Sequence, residues 1–245
     1  MKPTLTILAA VACATAAFGA PPRIPVPIKV LLLGDSLSVG AFGKAVQESL
    51  VRNYGVGQVA VFASCGSSPE DWIRGDFVTH CGYRQTTPEG SKYFDKIRTP
   101  RLRAILAHYR PRVVIVQLGT NWMDGLSGPR PSDERHYRGI IRDFVDELRR
   151  GNPSVTIFWV LPPASSVYPR GVHAQVERWI KEESRRRGFY TINSRQFTEP
   201  YRLGVTGGDG VHYREAAAGR WARGVLGKFY GASGVSGLAP AGAAR

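Results

Sequence analysis

The sequence predicts an α/β fold built on a doubly wound parallel sheet. Three observations predict it. Short runs of Val, Leu, Ile and Phe without polar alternation recur along the chain, the pattern of strands buried on both faces. Segments with apolar residues at helical spacing lie between them. The first three runs stop on turns of small residues, as strands do where they leave a sheet.

The first run, Lys29-Val30-Leu31-Leu32-Leu33, ends on Gly34-Asp35-Ser36. Gly34 lets the backbone turn sharply, and Ser36 or Ser38 can cap the helix that follows. That helix places Phe42, Val46 and Leu50 on one face with Ala45 beside them. A second strand over 58–63 ends in Ser64-Cys65-Gly66-Ser67-Ser68. Residues 69–99 show little periodicity and many turn formers. With Cys65, Cys81, Trp72, Phe77, Tyr83 and Tyr93 near or within them, they read as an ordered lid or substrate loop. A helix over 101–109 leads to a third strand, 113–118, which ends in Gly119-Thr120-Asn121-Trp122. Ser132-Asp133-Glu134 opens an amphipathic helix that Gly151-Asn152-Pro153 closes. A fourth strand over 155–161 stops at Pro162-Pro163. A helix over 172–187, a short fifth strand over 189–192 and a last helix over 213–230 complete the alternation.

With 245 residues, of which 43% are hydrophobic, the chain is expected to bury one core. That core is a single domain over 20–230, followed by a Gly/Ala-rich tail, 231–245, expected to fray. Residues 1–19 read as a secretory signal peptide, with Lys2, an apolar stretch over 5–11 and Ala17-Phe18-Gly19 as the cleavage site. The apolar stretch is too short to span a bilayer. The expectation is therefore an exported protein, periplasmic or extracellular, without a membrane span. Cleavage removes Cys13 and leaves Cys65 and Cys81, for which a disulfide is expected over two free thiols. No His or Cys spacing suggests a metal, and no cofactor is expected. The formal charge of +14, from 33 Lys and Arg against 19 Asp and Glu, favours an anionic neighbour such as a cell envelope or acidic polysaccharide. A composition bias towards Arg is the alternative. No nucleic-acid recognition motif accompanies the charge.

Parallel strands put their carboxyl ends on one rim, where open α/β sheets bind ligands. Three of those ends carry Ser36, Gly66 and Asn121. Acyl transfer needs a nucleophile, a base, a group that orients the base, and donors for an oxyanion. Ser36 is the candidate nucleophile. Among five histidines, His212 lies in Gly207-Gly208-Asp209-Gly210-Val211-His212, just before the last helix. Asp209 is placed to accept from its Nδ1–H, leaving Nε2 for Ser36. On spacing alone, His212 reads equally as a helix N-terminal residue and Asp209 as a turn former. His80, His108, His136 and His173 have no such partner and read as surface or structural. The oxyanion donors would be the Ser36 and Gly66 backbone N–H groups and the Asn121 side-chain amide.

Gly34-Asp35-Ser36-Leu37-Ser38, Gly66, Gly119-Thr120-Asn121 and Asp209-x-x-His212 resemble, in order and spacing, the four blocks of the SGNH/GDSL hydrolase superfamily. The resemblance implies a flavodoxin-like three-layer α/β/α fold with a five-stranded parallel sheet, and esterase or lipase-like activity without a metal. It also implies Ser36, Asp209 and His212 as catalytic triad, with Ser36, Gly66 and Asn121 as oxyanion hole. Where the family's third block has a final Asp, this chain has Trp122, read as a wall of the substrate site or as a core residue. Asp35 and Trp72 are further candidates for substrate contact. The leading expectation is a secreted serine esterase that removes small acyl groups, acetyl first, from carbohydrate or cell-wall polysaccharide. A lipase, arylesterase, thioesterase or O-acetyltransferase would use the same residues. A non-catalytic glycan- or envelope-binding protein with this fold is the alternative of another class.

Overall fold

A computed structural model describes residues 27–126, 128 and 130–235. The expected signal peptide, 1–19, and the tail beyond 235 lie outside the described residues. The central sheet starts with β1 (Val30–Gly34), which pairs in parallel with β2 (Val59–Ser64) on one side and β7 (Val113–Gln117) on the other. Beyond β7 lie β8 (Thr156–Val160) and β9 (Tyr190–Ile192), both parallel. The parallel strands therefore run in the order second, first, third, fourth, fifth, which is the flavodoxin-like arrangement.

Alternation along β1 divides the core. Leu31 and Leu33 face α3 (Pro69–Arg74), α4 (Leu102–Tyr109), α5 (Pro131–Gly151) and α6 (Arg170–Arg187). Val30 and Leu32 face α2 (Ala41–Tyr54) and α8 (Glu215–Val235). Both faces being covered explains why these strands read as unbroken apolar runs. Phe42, Val46 and Leu50 of α2 are buried as their spacing predicts, and Phe42 stacks on Trp221 of α8 with ring centroids 3.6 Å apart. The long α5 has Pro131 in its first turn with Asp133 and Glu134, and Arg149 and Arg150 in its last, charges that complement the helix dipole.

The sheet departs from the expectation at one edge. It has seven strands rather than five, because β4 (Tyr83–Thr87) and β5 (Gly90–Phe94) form a hairpin antiparallel to β2. The stretch 69–99 is thus largely regular structure rather than a lid loop, with β3 (Val78–Thr79) and β6 (Ile97–Arg98) pairing as a second small sheet. Cys65 and Cys81 form a disulfide with Cα atoms 5.5 Å apart, tying the end of β2 to this region. The last helix continues to Val235, past the expected domain boundary at 230. No helix among the described residues is long and apolar enough to cross a membrane.

Candidate active site

The switch point of the sheet lies where β1 meets β7, and the chain leaving β1 turns there into a one-turn helix, α1 (Ser36–Val39). Asp35, rather than Ser36 or Ser38, is its N-cap: its Oδ1 accepts from the Leu37 amide at 3.0 Å. Ser38 faces inward and donates from Oγ to Gln117 Oε1 at 2.7 Å, across β7. Gly34 is required by that packing, since a Cβ there would lie 2.1 Å from Ser38 Oγ. With Asp35 and Ser38 turned into the protein, Ser36 is left on the rim, half-buried.

The loop before α8 brings His212 to Ser36. His212 Nε2 is 2.9 Å from Ser36 Oγ, and Nδ1 is 2.5 Å from Asp209 Oδ2. A carboxylate only accepts, so Nδ1 carries the proton and Nε2 is free to take one from Ser36. Asp209 Oδ1 also accepts from the Val211 and His212 amides, at 3.0 and 2.8 Å. Desolvation pushes the Asp209 carboxyl up, but those amides and the imidazole outweigh it and hold it at about 2. The loop is pinned from behind by residues that the motif reading did not single out. Tyr201 donates its hydroxyl to the His212 carbonyl at 2.8 Å, and Ser165 donates to the Gly210 carbonyl at 2.7 Å. Ser165 follows the strand end Leu161-Pro162-Pro163-Ala164, which carries no motif, and Tyr201 lies in an irregular segment before the loop. Neither has a sequence signal.

The expected donors lie on the loops after β1, β2 and β7. Gly66 has φ +82°, a left-handed conformation that favours glycine, and its amide makes no hydrogen bond within the described residues. The Ser36 amide is likewise uncommitted there. Asn121 begins a 3-10 turn (Asn121–Gly125) after β7 and donates one amide proton to the Ser67 carbonyl at 2.7 Å. That bond fastens the loop bearing Asn121 to the loop bearing Gly66, and the second Nδ2 proton remains for a ligand.

Three expected substrate contacts face the wrong way. Trp72 is 0% exposed, and its Nε1 donates to Ser67 Oγ at 3.1 Å, bracing the Gly66 loop from inside. Trp122 is 3% exposed, packs against Tyr137 and donates to the Glu70 carboxylate at 3.0 Å. It is a core residue, the second of its two readings. Asp35 is fully buried, and burial pushes its carboxyl up to about 7 against the opposing pull of the Leu37 amide and Gln117. All three are buried and hydrogen-bonded within the protein rather than presented on the rim. Among the described residues no group of three or more His, Cys, Asp or Glu is placed to hold a metal ion.

Taken together, this is a serine hydroxyl hydrogen-bonded to an oriented imidazole, with three N–H donors on the loops that follow β1, β2 and β7. Such an arrangement can form and break an ester. Solved structures with similar folds include an acetyl esterase mutant with acetate ion (16% identity, TM-score 0.59, 85% of this chain and 99% of that one). Others are a carbohydrate esterase family 3 protein from Talaromyces cellulolyticus (16%, 0.58, 82% and 96%) and TesA (18%, 0.55, 82% and 97%). No curated protein matches the chain. Residues 32–219 match the GDSL-like Lipase/Acylhydrolase family, a span that starts inside β1 and ends inside α8. It takes in all five parallel strands and the loops that carry Ser36, Asn121 and His212, and the chain therefore belongs to this family of ester-hydrolysing SGNH enzymes.

Proposed function

We propose that the protein is an exported serine esterase that removes small acyl groups, acetyl first, from carbohydrate. The observation that carries this reading is the Ser36–His212–Asp209 array on an open rim, where the His212 and Asp209 side chains are 49% and 56% exposed. A site this open admits an ester carried on a bulky polar molecule. The disulfide between Cys65 and Cys81 suits an oxidising compartment, and the leader-like residues 1–19 agree with export. The acetyl esterase and carbohydrate esterase among the structural neighbours support the substrate class by likeness of fold.

In this reading His212 Nε2 takes the Ser36 proton as Oγ attacks the ester carbonyl. The oxyanion forms among the Ser36 and Gly66 amides and Asn121 Nδ2. The imidazolium, stabilised by ionised Asp209, then gives its proton to the leaving alcohol, and the acyl group stays on Ser36. Water enters, loses a proton to His212 and attacks the acyl-enzyme, which releases the carboxylic acid and restores the serine. The test is hydrolysis of p-nitrophenyl acetate and longer-chain esters by wild type and Ser36→Ala. Turnover that falls with chain length and drops by about 10⁴-fold or more in the variant is expected. A preference for long chains would move the assignment to a lipase, and no Ser36-dependent turnover would leave a glycan-binding protein.

A further inference from the structure

Beside the triad lies a second cleft, of about 320 Å³, beyond the carboxyl end of β8. Its walls are shared with the catalytic machinery. Ser165 and Tyr201, which pin the Asp209–His212 loop, line it, and so does Tyr168, whose hydroxyl donates to Asp124 in the turn that starts at Asn121. His173 also lines it and is only 3% exposed; its ring nitrogens are shielded from the cleft and make no hydrogen bond among the described residues. Two cations line the cleft. Arg195 is shared between Glu199, which also lines the cleft, and Glu177. Arg170, exposed on the first turn of α6, forms no ion pair among the described residues.

We propose that this cleft binds a carboxylate-bearing sugar ring, the unit that carries or adjoins the ester in the substrate. The inference rests on the esterase reading for its link to catalysis and on the cleft itself for binding. The Arg170 guanidinium matches a carboxylate in geometry and charge. The Tyr168 and Tyr201 rings give the flat amphipathic surfaces on which a sugar ring packs. Burial, and then the charge of Arg195, push the His173 imidazole down to about 4, so at neutral pH it is uncharged and adds nothing to the charge of the cleft.

The experiment uses the full chain carrying Ser36→Ala, so that binding is read without turnover. The His173 ring nitrogens are followed by NMR during titration with D-glucuronate, with D-glucose and acetate as controls. Saturable shifts are expected with glucuronate, at affinities at least about tenfold above both controls, and Arg170→Gln should weaken glucuronate about tenfold. Arg170 is exposed, so the variant keeps the fold, and the remaining His173 signal reports that directly. Unmoved His173 resonances, equal response to glucose or to acetate, or an Arg170→Gln variant that binds as wild type would each overturn the proposal. Wild type that lacks Ser36-dependent hydrolysis while the variant still titrates with glucuronate would remove the esterase reading and leave the binding assignment standing.

Discussion

Asp35 and Asp209 both lie close to Ser36 and His212, and their surroundings give them opposite behaviour. Asp209 lies in solvent with two backbone amides and an imidazole on its oxygens, so it is ionised throughout the working range. Asp35 is buried with one amide on Oδ1 and no hydrogen-bond partner on Oδ2. Its folded value of about 7 stands above the ordinary 3.8. Between those values the native protein holds a proton that the unfolded chain releases, so stability falls as pH rises through this window and levels off above about 7. The full effect is on the order of 4 kcal/mol. Asp35→Asn keeps the cap through its own Oδ1 and cannot ionise. Thermal melts from pH 5 to pH 8 should show its advantage over wild type growing with pH; a difference that stays constant would refute the assignment. Nothing in Gly-Asp-Ser shows this inward turn. Adjacency in sequence places Asp35 near the nucleophile, but the direction of its side chain is set by the Leu37 amide. The same holds for Trp72 and Trp122, whose nearness to the motifs is real and whose rings point into the core.

At the level of elements, what was legible depended on burial. The five parallel strands are covered on both faces and announce themselves as apolar runs. The hairpin β4–β5 does not, because an edge needs no such run. Tyr83-Arg84-Gln85-Thr86-Thr87 mixes buried and half-buried positions, and every residue of Gly90-Ser91-Lys92-Tyr93-Phe94 is exposed. The cysteine pairing, by contrast, followed from counting. It joins the residue before Gly66 to the entry of the hairpin and closes a loop with a sequence separation of 16. In the chain-entropy account such a loop contributes about 3 kcal/mol. Cys65→Ser with Cys81→Ser should therefore lower the melting temperature by about 6–12 °C for a domain of this size. Equal melting of variant and wild type under oxidising conditions would show that packing around Thr79 and Gly82 already holds the loop.

The order of strands in the whole molecule is what turns scattered motifs into a site. Ser36 and Gly66 are close because β1 pairs with β2, and Asn121 joins them because β7 pairs with β1; the chain separations alone do not reveal those pairings. Charge is another property of the whole. With 33 cationic side chains against 19 anionic ones, a formal excess of 14 positive charges (33 − 19) remains. Many of the cations that pair are engaged internally, as Arg138 is with Glu134, Glu182 and Glu183 between α5 and α6. The excess creates a positive field that reaches about 8–10 Å at moderate salt and collapses to about 3 Å at 1 M. An acetylated polyanion is drawn in by that field, whereas a neutral ester is not. Adding salt should therefore cut kcat/KM on an acetylated acidic polysaccharide steeply, mainly through KM, while p-nitrophenyl acetate hydrolysis hardly changes. Parallel salt titrations of the two substrates decide it. If both respond alike, the positive charge plays no part in bringing substrate to the rim, and the basic composition is only a bias towards Arg.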